Sequence, residues 1–414
     1  MHKRSSRQMG RGSGPVLDDY VTWQSGGTPS KANQRYWAGN IPWITPKDMK
    51  WFDLETTTDY LTPAGVAAGS KVAPQSVTYI VVRGMILAHT FPVSQMSTPA
   101  AFNQDVKAVA PGPELIPRYL AYWFQAHAGD FLRLVGESTH GTKKLDLPDL
   151  RIFPMDPPAL AEQAKIVEIL TAVDDQIRIG NEMVSKLNLL SSGVADRLLY
   201  EGVDSADLPA GWRFSTVGEV YEVQAGITLG PHRAPRRNSN GYLRVANVQR
   251  SAVDLGDVAR LHASPVEQAR YRLATGDLLV VEGHADINQI GRCARVPEEA
   301  AGLVYQNHLF RLRSTQMNQV VGEAWLNSRF ARQYWRRTCS SSSGLNTINS
   351  RQLRAMRVIV PPPEEQGRIA ATLLGMAERI EHERETLDKL VLQKAGLIAD
   401  LLTGRVRVPV GVAS

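Results

Sequence analysis

A chain of 414 residues, 43% hydrophobic and 21% charged, has the composition of a soluble globular protein and the length for two or three buried cores. No apolar run approaches the roughly 18 residues that a membrane span requires, and the two cysteines, Cys293 and Cys339, exclude a disulfide framework and carry no metal-ligand spacing. A net charge of +6 is compatible with a polyanionic partner, although many basic proteins have none; a cytoplasmic location is the default expectation.

Residues 1–14, "MHKRSSRQMGRGSG", are basic and Gly/Ser-rich without an apolar segment, so they read as a disordered tail rather than a signal peptide. Residues 15–157 have mixed character: "VTYIVVRGMILAH" (77–89) is a buried strand and turn, and "IPRYLAYWFQAHAGDFLRLV" (116–135) an amphipathic helix. Prolines at 157 and 158 then open a long helix, 158–202, because proline suits a first turn whose N–H groups have no partner anyway. Ile166, Leu170, Val173, Ile177, Val184, Leu187, Val194 and Leu198 follow 4-3 spacing, with Gly180 and Ser191 at the two stations lacking an apolar side chain. Such a period over about five heptads predicts a coiled-coil seam, on a helix of roughly 60 Å at ~1.5 Å per residue.

After a linker at 201–212 the order repeats. Residues 203–360 offer strand, turn and strand in "GDLLVVEGHADINQIGRCARV" (276–296) and a helix in "GEAWLNSRFARQYWRRT" (322–338). A second long helix, 361–405, carries Ile369, Leu373, Met376, Ile380, Leu387, Leu390, Leu397 and Leu401, broken at Glu383 and Lys394, before a tail at 406–414. Each seam residue, each break, and the pairs Gly141/Gly344, Leu150/Leu353, Pro158/Pro361, Gln163/Gln366 and Phe102/Tyr305 stand 203 residues apart. Two unrelated core helices would not share an offset and two polar breaks, so the chain reads as one unit written twice. The fold class expected is α+β: two pseudo-repeated α/β globules, each followed by a long helix. The two helices pack on each other most economically, antiparallel within the chain or with another subunit.

No catalytic motif survives inspection. Asp156-Pro157-Pro158 lacks the aromatic residue of an amino-directed methyltransferase site, and the repeat replaces it with Pro361-Pro362-Pro363. "GESTHGTKK" (136–144) has Thr142 where a phosphate loop needs lysine, and no strand leads into it. Asp277 and Glu282 lack the lysine of a nuclease site, and His89, His140, His284 and His308 are scattered. Neither a catalytic nor a metal site is expected.

Basic and polar residues concentrate instead in predicted turns, among them "GGTPSKANQRYW", "STHGTKK", "PHRAPRRNSN", "GHADINQIGR" and "RQYWRRTCSSSS". These residue types meet phosphates and base edges, and Lys31, Lys143, Lys144, Arg236, Arg237, Asn288 and Arg292 are the candidate DNA contacts. A common scaffold with different loops is what readers of two different sequences would need.

The stretches "SGGTPS…YWAGNIPWITPKDM", "FNQDV", "PPALAEQAKI", "GDLLVVEGHADINQIGR" and "PPPEEQGRI" resemble the specificity subunits of type I restriction-modification systems over nearly the whole chain. The resemblance implies two target-recognition domains, each reading half of a bipartite site in double-stranded DNA. It implies helices that pair antiparallel, set the spacer and dock two methyltransferase subunits. The seam residues Ile166, Leu170, Val173, Ile177, Leu187, Ile369, Leu373, Met376, Ile380 and Leu390 belong to that part. S-adenosylmethionine and adenine N6 methylation would reside on the methyltransferase subunits, and ATP and Mg on restriction subunits where present, with no cofactor in this chain and no membrane partner. A rod of the predicted length spans under two DNA turns of ~34–36 Å. One departure is the first globule's start, "VLDDYVTW", which lacks the "PAGW" lead found at 209–212. Alternatives are the recognition subunit of a bipartite methylation system without restriction subunits, a self-sufficient methyltransferase or nuclease, and a coiled-coil scaffold.

Overall fold

The computed structural model describes residues 14–138, 141–200, 208–236, 239–342 and 344–409. Most of the expected basic tail, the first seven residues of the linker and Arg237 lie outside these residues. The chain divides into two units, 1–179 with 387–414 and 180–386, so each long helix contributes to both. Among the described residues no helix is long and apolar enough to cross a membrane.

In the first unit, strands Val21–Ser25, Val106–Pro111, Thr78–Val81 and Val93–Met96 pair antiparallel in that order, with the short Asp53–Leu54 added parallel at the edge. A second sheet orders Asp59–Leu61, Trp37–Ile44, Ala100–Phe102 and Val72–Ala73, its two middle strands parallel. The second unit repeats both layers. Glu222–Ala225, Leu309–Arg313, Leu278–Val281 and Cys293–Arg295 form the antiparallel sheet, and Ala259–Leu261, Asn240–Leu243 and Val304–Tyr305 the smaller one, with the same parallel pair. The register repeats too: Ile44 faces Phe102 as Leu243 faces Tyr305.

Gly26 and Gly226 occupy the same place in the two units for a steric reason. A Cβ on Gly26 would sit 2.1 Å from the Phe102 carbonyl oxygen, and one on Gly226 would sit 2.2 Å from that of Tyr305. The backbones touch where only glycine fits. The missing lead of the first globule is also resolved. Val16 bridges Pro154 at the place where Arg213–Thr216 pairs with Arg357–Val360, so the first unit keeps the junction with a shortened strand.

Each predicted amphipathic helix is two helices. Pro117–Ala126 and Ala128–Leu134 part at His127, whose ψ of 10° leaves the helical well. Gln319–Asn327 and Arg329–Thr338 part at Ser328, whose Oγ accepts the Ala331 N–H at 3.1 Å and so starts the second helix afresh. Their apolar faces close the large sheets. Tyr79, Tyr122, Phe124 and Phe131 are buried in the first unit, and Val321, Trp325 and Trp335 in the second.

The long helices are Leu160–Tyr200 and Pro363–Leu401. In the first unit Ile166 and Leu170 share a core with Leu401 and Leu402; in the second, Leu199 shares one with Ile369 and Leu373. The start of each helix thus lies with the end of the other, an antiparallel pairing in each unit. Ile166, Leu170, Val173, Ile369, Leu373 and Ile380 are buried, while Ile177, Leu187, Met376 and Leu390 are half-buried. The polar station Lys394 is an ion pair: its ammonium lies 2.6 Å from Asp174, and both side chains are at least four-fifths covered. Asp174 also accepts the Tyr122 hydroxyl at 2.6 Å, and Arg118 stands 3.8 Å away. Burial, then this hydrogen bond, pushes the Tyr122 phenol up to about 12, so it remains a donor. A polar residue so placed in an apolar seam fixes register.

Both helix starts are locked by one side chain. Gln163, fully buried, donates through Nε2 to the carbonyls of Glu114 and Pro158 at 2.8 Å each and accepts the Ile116 N–H at 2.9 Å. Gln366 donates to the carbonyls of Gln316 at 3.0 Å and Pro361 at 2.8 Å and accepts the Asn318 N–H at 2.5 Å. Gln163→Leu or Gln366→Leu strands three buried main-chain groups, so each is expected to lower stability by about 1–3 kcal/mol. A urea midpoint equal to wild type in both variants would refute the lock.

Candidate nucleic-acid interface

The stretch that mimicked a phosphate loop is a β-hairpin. Gly136–Glu137 pairs with Lys143–Lys144, and Gly141 at the tip has φ +79°. In the second unit Ser340–Ser342 pairs with Leu345–Thr347, and Gly344 has φ +78°. Only glycine takes that backbone freely, so Gly141 and Gly344 mark the same turn. Each hairpin is held against the end of a central strand by an equivalent main-chain bond, Leu145 N–H to the Val82 carbonyl and Ile348 N–H to that of Glu282, both 2.9 Å. A 3₁₀ turn follows that strand in each unit, Met85–Ala88 and Ile287–Gln289. Lys144 bridges Arg83 in the first unit, and Thr347 pairs with Gly283 in the second. A hairpin and a turn therefore form one surface in each unit, on equivalent scaffolds.

The side chains there differ. The first unit presents Arg83, Lys143 and Lys144 beside the exposed Met85 and Ile86. Lys143 lies 3.2 Å from Glu137, Lys144 pairs with Asp146, and Arg83 lies 3.5 Å from Asp105. All three cations retain solvent-exposed surface, so such pairs exchange readily for a phosphate or a base edge. The second unit presents His284, Asn346, Leu345 and Asn288, with Asn346 Nδ2 donating to the Ala285 carbonyl at 2.9 Å. The first surface is cationic and the second is rich in amides and hydroxyls.

The remaining candidates separate by geometry. Lys31 is exposed, its ammonium 5.4 Å from the Trp37 ring and 5.7 Å from Trp43. Arg236 is exposed in the segment after the 3₁₀ turn Pro231–Arg233, and Arg237 lies outside the described residues. Asn288 is exposed, with its N–H and Nδ2 donating to Asp286 Oδ1 at 2.9 and 3.0 Å. Arg292 is a correction. It is 5% exposed, and its guanidinium donates to the carbonyls of Val248 at 2.5 Å and Val245 at 2.8 Å. Burial lowers its pKa below the ordinary guanidinium value. Its work is to hold a loop, and it leaves the set of surface candidates.

"RQYWRRTCSSSS" is also a correction, being the last part of a helix followed by hairpin rather than a turn. Arg250 and Arg336 donate to Asn288, Arg250 and Arg332 to Asn327, and these arginines were missed individually. Arg332 and Arg336 stand four apart, one helical face, which was a readable signal; Arg250 is remote in sequence and gave none. Asp277 is buried, bound twice by Arg313 at 2.7 and 2.6 Å, and Glu282 pairs with His308 at 2.6 Å. Both carboxylates are occupied by structural partners. Among the described residues no cluster of His, Cys, Asp or Glu could hold a metal ion.

Residues 16–189 match the type I restriction modification DNA specificity domain. The chain is 36% identical over 161 residues to the EcoR124I/EcoR124II specificity subunit of Escherichia coli, a match covering 38% of this chain and 40% of that protein. It is 21% identical over 403 residues to the MjaIX specificity subunit of Methanocaldococcus jannaschii, covering 92% and 90%. Among solved structures it is similar to a type I restriction-modification S subunit from M. genitalium (TM-score 0.51, 12% identity, 94% of this chain and 95% of that one). A chain described under complex assembly and conformational transition of the type I R-M system matches with TM-score 0.57, 15% identity and coverage of 94% and 98%. These likenesses share the fold described above.

Arg292→Ala should behave as a core lesion. Removing the bonds to two loop carbonyls is expected to cost about 1–3 kcal/mol, seen as a lower melting temperature. A variant that melts with wild type would return Arg292 to the surface candidates.

Proposed function

We propose, on the premise that the chain belongs to the type I restriction-modification specificity family, that it is the non-catalytic DNA-reading subunit of such an assembly. The observation that carries this reading is the duplicated hairpin-and-turn surface with divergent side chains. A two-stranded ribbon fits the major groove, where each base pair presents a distinct pattern of donors and acceptors. Lys143, Lys144 and Arg83 in one unit suit guanine edges and phosphates; Asn346 and Asn288 in the other suit adenine edges. Each unit would read one half of a bipartite site, and different side chains would make the halves different.

The helices supply the partner surface in this reading. Met183, Leu189 and Leu190 are exposed apolar residues of the first, and Val391 and Leu392 of the second. Methyltransferase subunits docked there would bring S-adenosylmethionine and methylate adenine N6. Restriction subunits, in an assembly that has them, would bring ATP and Mg. In this reading those steps belong to the partner subunits.

Co-expression with a type I methyltransferase subunit, followed by genome-wide mapping of methylated adenine, tests the reading. The expected result is a bipartite motif with an unread gap; a continuous motif or no methylation would sink it. Lys143→Ala with Lys144→Ala is expected to weaken DNA binding by the assembled complex and to flatten the salt dependence by about one unit for each phosphate no longer engaged. An identical salt titration would remove both lysines.

A further inference from the structure

Four guanidiniums of the second unit meet around the turn Ile287–Gln289. Arg250 donates through Nη1 to Asn327 Oδ1 at 3.1 Å and through Nη2 to the Asn288 carbonyl at 2.9 Å. Arg332 donates to the Asn327 carbonyl at 3.0 Å, and Arg336 to Asn288 Oδ1. Arg292 lies beneath, bound to the two loop carbonyls described above. All these acceptors are neutral amide oxygens. Arg233, Arg244, Arg295, Arg311 and Arg313 of the same unit each face a carboxylate. The turn's own acid, Asp286, accepts from Asn288.

Among the described residues no carboxylate forms an ion pair with Arg250, Arg332 or Arg336, and Asp286 reaches them only through Asn288. The pKa of Arg250 is lowered by burial first, then by Arg332 and Arg292, the sign of cations pressed together. Asn327 is a firm anchor: 9% exposed, its amide also binds the Cys293 N–H at 2.9 Å, the Cys293 carbonyl at 2.8 Å and Ser251 Oγ at 3.0 Å. Arg332 and Arg336 share a helical face, Arg336 is exposed, and Arg250 and Arg332 are half-exposed. All three therefore keep solvent-accessible surface. The helix that carries Arg332 and Arg336 leads into the hairpin strand Ser340–Ser342. In the first unit the residue 203 positions before Arg336 is Arg133, which pairs with Asp130, the residue 203 before Arg332 is Gly129, and the strand registers place Pro92 where the second unit has Arg292.

We propose that Arg250, Arg332 and Arg336 form a phosphodiester-binding site that grips the DNA backbone beside the hairpin of the second unit. The proposal rests on the DNA-reading function and adds a backbone anchor that the first unit lacks. A guanidinium fork matches a phosphate with two parallel hydrogen bonds, and such charge-assisted bonds exceed neutral ones in strength. The anchor sets the ribbon's position on the duplex and carries no base information.

The experiment uses the full chain assembled with its methyltransferase subunits and two duplexes, one with the methylated motif and one without. Salt titrations compare wild type with Arg332→Gln/Arg336→Gln and with Arg336→Gln alone, an exposed change that keeps the test valid should the double variant fail to fold. Affinity is expected to fall together on both duplexes, about tenfold per arginine, with a salt slope shallower by about two units in the double variant and one in the single. Preference for the motif should be unchanged. An unchanged slope overturns the site, as does loss confined to the motif duplex, which would make these arginines base readers. Stabilisation of the wild type by inorganic phosphate, with variant slopes unchanged, would make it a free-anion pocket and equally overturn the proposal. A wild-type complex that retains neither duplex sinks the DNA-reading function itself and the site with it.

Discussion

A buried carboxamide at the first turn of each long helix is the constraint on which the architecture rests. Gln163 and Gln366 each satisfy two carbonyls and one N–H of the neighbouring backbone. Glutamine is the side chain for this task because its amide offers donor and acceptor at one end of a reach long enough to cross from helix to globule. All partners are main-chain groups. The residues that supply them can therefore change, and do: Glu114 and Ile116 in one unit, Gln316 and Asn318 in the other. The joint is preserved while the globule around it diverges.

The same division between backbone and side chain runs through the two hairpin surfaces. The hairpins hang from equivalent strands by equivalent amide bonds, with a positive-φ glycine at each tip. None of that geometry depends on whether the strand carries Lys143-Lys144 or Asn346-Thr347. Loop side chains are free to vary because the scaffold does not use them. Arg292 marks the limit of this freedom, a loop arginine that the scaffold does use.

The two units nevertheless handle charge differently. The first places an ion pair inside its helix seam, where Lys394 meets Asp174 under the rings of Phe52 and Tyr122. The second leaves its corresponding seam stations to Ser191 and Ala377 and gathers arginines on its surface. A duplicated fold thus holds a seam ion pair in one unit and, in the other, a group of arginines bound to neutral amides.

The helix pair, the duplication and the absence of catalytic motifs were legible in the amino-acid order, because heptad spacing and a constant offset are one-dimensional signals. Even the polar seam breaks were visible, although only packing showed that Lys394 is a partner for Asp174 rather than a gap. The helix breaks at His127 and Ser328 were not legible, since hydrophobic periodicity continues across them. Which polar residues face solvent was decided by tertiary structure alone. Arg292 and Asn288 lie in one short stretch, yet one is buried under loop carbonyls and the other is exposed. Arg250 joins Arg332 and Arg336 only because a turn and a helix far apart in the chain converge on Asn288. Spacing along the chain reports which residues share an element; burial and convergence depend on long-range packing that no local pattern encodes.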